Sequence, residues 1–349
     1  VKQFADHPKH SGKTTYKALD RIFYEQCNVQ EDKVTVKAKT GGDVMQNPSE
    51  PDATYDGHKG PGYQVQLSET CNPENEVQLI TCAIPQTAAE PDSEAVEPVL
   101  DDLEQNALLP EQLLGDTHYC SDENVQMAAQ RGVELVGPVS GSETSKEEAS
   151  YERLTIDDFD IDEHTEEVKC CPAGHTPDTS VQDEHTGKTM TVMPESACSQ
   201  CDFYGQCPVE KCKGQYRLVH TAKQRRLAAR RREENTEVFR ERYKIRGGIE
   251  GTNSGLKRAT GLGQLRVRGR PAVFHAIYLK VAGWNMRRAM VCAKLRKIVY
   301  ERASRAVLCR IFTLFRPLLT TRRIYRWHKT QNRTCLRQFG AFPPLRSAV

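Results

Sequence analysis

The charge of this chain is divided along its length. Residues 1–200 carry 14 Lys and Arg against 39 Asp and Glu, whereas residues 201–349 carry 35 against 8, so two halves of −25 and +27 hide behind a net charge of +2. Between residues 251 and 300 there are 11 basic side chains and no acidic one. Such a field repels polycations and condenses on a polyanion, which makes DNA or RNA the leading partner. The competing reading is that the basic half neutralises the acidic half within one fold. Nucleic-acid binding that weakens with log salt separates the two.

With 349 residues the chain has the length of two or three folded units. Its hydrophobic fraction of 38% lies below that of ordinary globular domains, so parts of it are expected to be loop or tail. No stretch reaches the ~18 apolar residues of a membrane helix. The nearest approach, 306–319, is cut by Arg310 and Arg316. With no leader to read, a soluble cytoplasmic protein without a membrane partner is expected. The initial Val1 hints at a fragment.

Six of the 13 cysteines fall between Cys170 and Cys212. Cys198 and Cys201 have the C-x2-C spacing that lets two thiolates grip one tetrahedral zinc, with Cys207 close behind and Cys171-Pro-Ala-Gly-His175 ahead. Cys171, Cys198, Cys201 and Cys207 are the expected ligands, and His175, Cys212 and His220 the reserves. Reduced buried thiols and redox chemistry are the alternatives.

Periodicity predicts a helix over Thr15–Gln26, a strand over Lys33–Lys39, a loop from Gly41 to Gly62 and a hairpin of Tyr63–Leu67 with Leu79–Ile84. A helix over Asp92–Leu108 capped by Asp92-Ser93, a strand ending at Asp116, a helix over Asp122–Arg131 and a strand over Val133–Val139 follow. The expected divisions are a helical part at 1–32, an α/β core at 33–140, a loop-rich insertion at 141–220, final helices at 221–290 and a basic tail at 291–349. From Thr221 to Tyr243 a helix crowded with Arg225, Arg226 and Arg230 is expected to meet phosphates, together with Arg266, Arg268 and Arg270.

Tyr243, Arg246, Glu250 and Lys257 stand at offsets that fall within about 60° on one helix face, so a carboxylate is ringed by cations. A solvated face of i,i+3 and i,i+4 pairs is the bland reading. Gly247 and Gly248 argue against it, since each weakens a helix interior by about 1 kcal/mol.

The spacing Tyr243-x2-Arg246-x3-Glu250-x6-Lys257 resembles the Tyr-Arg-Glu-Lys signature of bacterial insertion-sequence DDE transposases. Pro51–Asp56 with Gly60–Tyr63, Leu114–Tyr119 with Ser121–Asn124, and the cysteine cluster resemble further segments of one subgroup. The resemblance spans about Thr15 to Arg288. It implies a ribonuclease H-like core in which three carboxylates hold two Mg2+ or Mn2+ ions for phosphoryl transfer on double-stranded DNA. By that resemblance Asp116 and Glu250 are two of the ligands, Arg246 and Lys257 neutralise phosphate oxygens, and Tyr243 contacts DNA. A homodimer assembled on transposon ends and target is implied as well. The family's first aspartate, on the first core strand, has no counterpart before Thr15; Asp52 and Asp56 are weak substitutes. The chain thus resembles an N-terminally truncated transposase, inactive by itself. A non-catalytic, zinc-containing nucleic-acid-binding protein is the alternative.

Overall fold

The computed structural model describes residues 1–30, 33–141 and 153–315. Helices α1 (Lys2–Ala5) and α2 (Thr14–Gln26) precede an antiparallel pair, β1 (Cys27–Gln30) and β2 (Lys33–Val36). The segment from Gly41 on is not all loop, because Thr54–Asp56 forms β3 against the start of β4 (Gly60–Glu69). Strand β5 (Ile80–Thr87) completes a three-stranded antiparallel sheet in the order β3-β4-β5.

Alternation gives β4 two working faces. Val65 and Leu67 pack with Ile80 and Ala83 against Leu256 and Ile277 of later helices. On the other face Cys82 and Ile84 of β5 meet Val99 and Leu103 of α3 (Val96–Gln105). The sheet is therefore covered on both sides, a mixed α/β arrangement. A 3-10 turn, Asp92–Ala95, leads into α3 without a side-chain cap. The expected cap is wrong at Asp92, whose carboxylate accepts from Lys59 Nζ at 2.8 Å and Gln66 Nε2 at 2.9 Å.

A second sheet pairs β6 (Gln112–Leu114) with β7 (Glu134–Val136) in parallel, joined by α4 (Asp122–Gln130). Leu100, Cys120, Ala128 and Val133 fill the space beneath it. Gly137 follows β7, where a Cβ would stand 2.3 Å from the Gly115 carbonyl and 2.5 Å from Cys120 Sγ. Only glycine allows the chain after β7 to press against the chain after β6.

The edge of β4 beyond Gly62 and the outer edge of β6 are among those that carry no partner strand in the described residues. Strand β3 covers β4 only from Gly60 to Gly62. Gly62 O accepts from Ala88 and Thr70 N donates to Leu79 O, so the even residues of β4 address β5 while Val65 and Leu67 turn their backbone groups to the uncovered edge. On β6, the bonds of Glu111 O and Gly115 N to the β7 segment leave Gln112 and Leu114 facing away from it.

The cysteine-rich segment, expected as a loop-rich insertion, has more strand than that expectation allows. Strands β8 (Asp160–Ile161) and β9 (Val168–Cys170) pair, and β10 (Thr179–Asp183), β11 (Lys188–Met193), β12 (Glu210–Cys212) and β13 (Gln215–Thr221) form a sheet in the order β10-β11-β13-β12, with the short helix α5 (Glu195–Cys198) between β11 and β12. Its longer strands alternate in burial, but the buried positions include Thr189, Thr191 and His220 while Met190 and Val219 are exposed, so hydropathy hides the alternation. The predicted helix from Thr221 is two helices, α6 (Ala222–Glu234) and α7 (Glu237–Lys244), because Asn235 closes one and Thr236 caps the next by accepting from Phe239 N. A 3-10 turn at Ile245–Gly247 then leads into α8 (Gly248–Thr260), which ends at Gly261 in the left-handed region.

Helix α9 (Arg270–Phe315) starts after Gly269, whose N–H donates to both oxygens of Glu50 at 2.8 and 2.9 Å. Asn285 exchanges two hydrogen bonds with the backbone of Ile80, fixing α9 on β5. The chain divides into two compact units, Val1–Met286 and Arg287–Val349. The second, in its described residues, is helical and exposes Met290, Leu295 and Val299 beside its basic side chains. Residues 142–152 and the tail beyond Phe315 lie outside the described residues. No helix among the described residues is long and apolar enough to cross a membrane.

Gly137→Ala is expected to cost about 1–3 kcal/mol, because the added methyl meets both the Gly115 backbone and the short, buried Cys120 side chain. Urea denaturation measures it; an unshifted midpoint would mean that this contact yields freely.

Candidate active site

Asp116 follows the C-terminal end of β6 and accepts from the N–H of His118 at 3.0 Å, an arrangement that fixes one of its oxygens, Oδ1. Its other oxygen, Oδ2, lies 3.3 Å from Arg246 Nη2. The second terminal nitrogen of the same guanidinium, Nη1, donates to Glu250 Oε1 at 3.0 Å. Residues 134 positions apart in sequence thus meet at one arginine. The two contacts and the width of the fork limit the separation of those carboxylate oxygens to about 9 Å.

The 3-10 turn at Ile245–Gly247 places Arg246 here. It interrupts the helix, so the four signature residues do not share one continuous helical face. Tyr243, at the end of α7, stacks on Phe239 with ring centroids 5.6 Å apart, and burial raises its phenol pKa. Glu250 is exposed and Asp116 half-buried. Lys257, Arg266, Arg268 and Arg270 are exposed, the last with its guanidinium over the Phe274 ring.

Asp116, Arg246, Lys257 and Arg268 line one cavity of about 1750 Å³. The uncovered edges of β4 and β6 line it too, and so do Glu69 and Asp92, which the sequence does not single out as site residues. Glu69 accepts from the buried Thr252 hydroxyl through both oxygens, at 2.8 and 2.9 Å. Gln66 joins Asp92 to Tyr119, whose hydroxyl donates to Gln66 Oε1 at 2.5 Å. The signal for Asp92 was present, an acid beside a strand carrying Gln64 and Gln66, but it also fits a helix cap.

Asp52 and Asp56 do not line this cavity. Asp56 accepts from the N–H groups of His58 and Lys59 in a tight turn, and those bonds, Lys59 first, lower its pKa. It is a turn former.

The expectation that Arg225, Arg226 and Arg230 meet phosphates is corrected. Arg225 grips Glu166 with two bonds of 2.9 and 2.7 Å, Arg226 grips Asp122 with two of 3.1 and 2.7 Å, and Arg230 donates to the carbonyls of Cys120 and Gly137. Asp122 and Glu166 are buried, so these arginines are spent inside the protein.

Of the cysteines, Cys171 is buried in the core of the insertion, and Cys198 and Cys207 pack against that core. Burial pushes the Cys198 thiol up to about 11, aided by Cys171, Cys201 and Cys207. All four are free thiols, and among the described residues no group of three or more His, Cys, Asp or Glu is closed around a metal position. The reserve ligand His220 lies elsewhere, 3.9 Å from Glu166 with neither ring nitrogen hydrogen-bonded, and Cys212 is exposed.

Residues 170–290 match the family model of the transposase DDE domain. The match includes Arg246, Glu250 and the cysteine cluster, stops short of Asp116 in sequence, and supports a DDE transposase. No curated protein and no solved structure matches the chain.

Arg226→Ala strands a buried carboxylate and is expected to cost about 3 kcal/mol by denaturant titration, whereas Arg268→Ala leaves stability unchanged. On DNA the order reverses: only loss of Arg268 should reduce the slope of log affinity against log salt, by about one. Equal effects of the two on either measurement would contradict the division.

His220 is 2% exposed, and burial lowers its pKa, with Arg225 adding to that effect and Glu166 opposing it. Below the ordinary value of about 6.5 the unfolded chain binds a proton that the folded chain refuses, so stability falls as pH falls through that value. Melting temperatures between pH 7.5 and 5 should drop, and His220→Leu should flatten the drop.

Proposed function

We propose that this chain is the DNA-processing part of a DDE transposase with a ribonuclease H-like core, and that Asp116 and Glu250 are carboxylate ligands of its phosphoryl-transfer site. The observation that supports this best is the convergence of both carboxylates on Arg246. Three antiparallel strands, a helix, and two parallel strands separated by a helix are in keeping with such a core.

The donor set suits Mg2+ or Mn2+, hard cations that bind through one or two carboxylates and retain water. A cation is already present between the two acids in the form of the guanidinium. Such ions, when bound, lower the pKa of water and stabilise charge on the phosphorus under attack. Arg246, freed from the carboxylates, has the planar fork that grips two phosphate oxygens at once. Lys257, Arg266, Arg268 and Arg270, all exposed, position the DNA backbone without reading its sequence. Tyr243, held by Phe239, contributes a rigid apolar surface beside Arg246. Assembly as a homodimer on transposon ends and target belongs to the same reading.

Two carboxylates meet at Arg246, one fewer than the resemblance implies, and among the described residues no larger acidic group gathers. In this reading, which assigns two of the three carboxylates that the resemblance implies, the chain by itself binds DNA without cutting it. Gel shifts of a DNA duplex across a salt series should give a slope near −5 if about six phosphates are contacted, and Glu250→Gln should bind at least as tightly. Electron paramagnetic resonance of added Mn2+ should show binding that Asp116→Asn and Glu250→Gln each weaken at least tenfold. Absent DNA binding, or Mn2+ affinity untouched by both substitutions, defeats the assignment. Nicking of supercoiled plasmid that depends on Glu250 would overturn only the inactivity of the isolated chain.

A further inference from the structure

The insertion carries a feature that DNA processing does not use. It consists of short strands and long turns around one small core that includes Phe159, Met193, Tyr216 and Leu218. Modules of this size rarely hold together on apolar burial alone and commonly add a metal or disulfide staple. Three separate turns bring cysteines to that core. Cys171, just after β9, enters a turn closed by its own N–H to His175 O at 2.9 Å and by Gly174 N to Cys171 O at 2.8 Å. Cys198 ends α5, and the turn after it carries Cys201, whose N–H points to Cys198 O. Cys207 closes the next turn by donating to Phe203 O at 2.9 Å. Cys171 is buried, Cys198 and Cys207 pack on the same cluster, and no disulfide joins any of the four.

We infer that Cys171, Cys198, Cys201 and Cys207 are the ligands of a structural tetrathiolate zinc site that staples the insertion. Four sulfurs on tight turns match the soft, tetrahedral preference of zinc, and four protein ligands leave no open position for chemistry. The four thiols are near enough for Cys171, Cys201 and Cys207 to act electrostatically on Cys198, although they are not closed around a metal position, and zinc would displace a proton from each thiol as it binds. His220 is not a ligand, since it packs against Glu166. Cys212 is exposed on β12 and is not one either. The site is independent of the Asp116 and Glu250 assignment and stands or falls without it.

The test uses the whole chain purified under reducing conditions. Elemental analysis should find one equivalent of zinc, and replacement by Co2+ should give the visible absorption of a tetrahedral thiolate complex. Cys198→Ser with Cys201→Ser should lose both signals, whereas Cys212→Ser should keep them. Limited proteolysis should then cut the double variant within residues 170–212 at least tenfold faster than the parent. If the double variant fails to fold, Co2+ titration of the parent alone still decides. Reduced parent that holds no zinc and gives no thiolate band with Co2+ overturns the site, as does metal retained in the double variant or a Cys198–Cys201 disulfide in the freshly isolated protein.

Discussion

Asp122 and Glu166 are carboxylates that folding removes from water, and each is held by a two-pronged arginine from consecutive positions of α6. A buried acid deprived of its partner costs several kcal/mol, so α6 cannot shift without penalty to either. Glu166 belongs to the insertion and Asp122 opens α4, where the helix dipole also favours a negative charge. One turn further along, Arg230 collects the carbonyls of Cys120 and Gly137, the chain segments that follow β6 and β7. Helix α6 is in effect the pillar that fixes the insertion, the second sheet and the loop of Asp116 in one frame. Arg246 reaches Asp116 only because that frame is set.

The charge division of the chain therefore does two jobs. Along α6 the basic half neutralises the acidic half, as the plainer reading of the sequence holds, with Lys223 on Glu123 and Arg232 on Asp157 and Asp158 extending the pattern. Between residues 251 and 300 the sequence holds no acid, and Lys257, Arg266 and Arg268 remain exposed. The two populations have the same composition. What separates them is whether an acidic partner is supplied from elsewhere in the fold, which a charge count cannot register.

The same limit governs what could be read before the structure. Helices α3 and α4 are legible because each buries one face against an apolar cluster, so periodicity survives in the residues, and β4 with β5, covered on both faces, is legible as two strand-length runs joined by a polar turn. Between residues 179 and 221, β10, β11 and β13 alternate in burial, but Thr189, Thr191 and His220 point inward while Val181, Met190 and Val219 are exposed, so polarity does not report the alternation. The signature around Glu250 reads as one continuous helix, whereas a 3-10 turn at Ile245–Gly247 intervenes and carries the Arg246 that meets Asp116. Asp92 was legible as a helix cap and is a partner of Gln66 and Lys59, because the distance from Asp92 back to β4 is set by the sheet and not by local sequence.

The uncovered edges of β4 and β6 have a consequence of their own. Backbone N–H and C=O groups at Val65, Leu67, Gln112 and Leu114 border one cavity that also has apolar walls from Leu256 and Ile277. Peptide groups in an apolar setting must find hydrogen-bond partners, and at strand spacing the partner with the right repeat is another extended backbone. The interior beside Asp116 is thus chemically a template: water satisfies it at the cost of a wet core, and polypeptide satisfies it while drying the core. Occupancy of this gap and the setting of Asp116 are coupled, since any chain that settles there, correct or adventitious, lies against β6, whose last residue is two positions before Asp116.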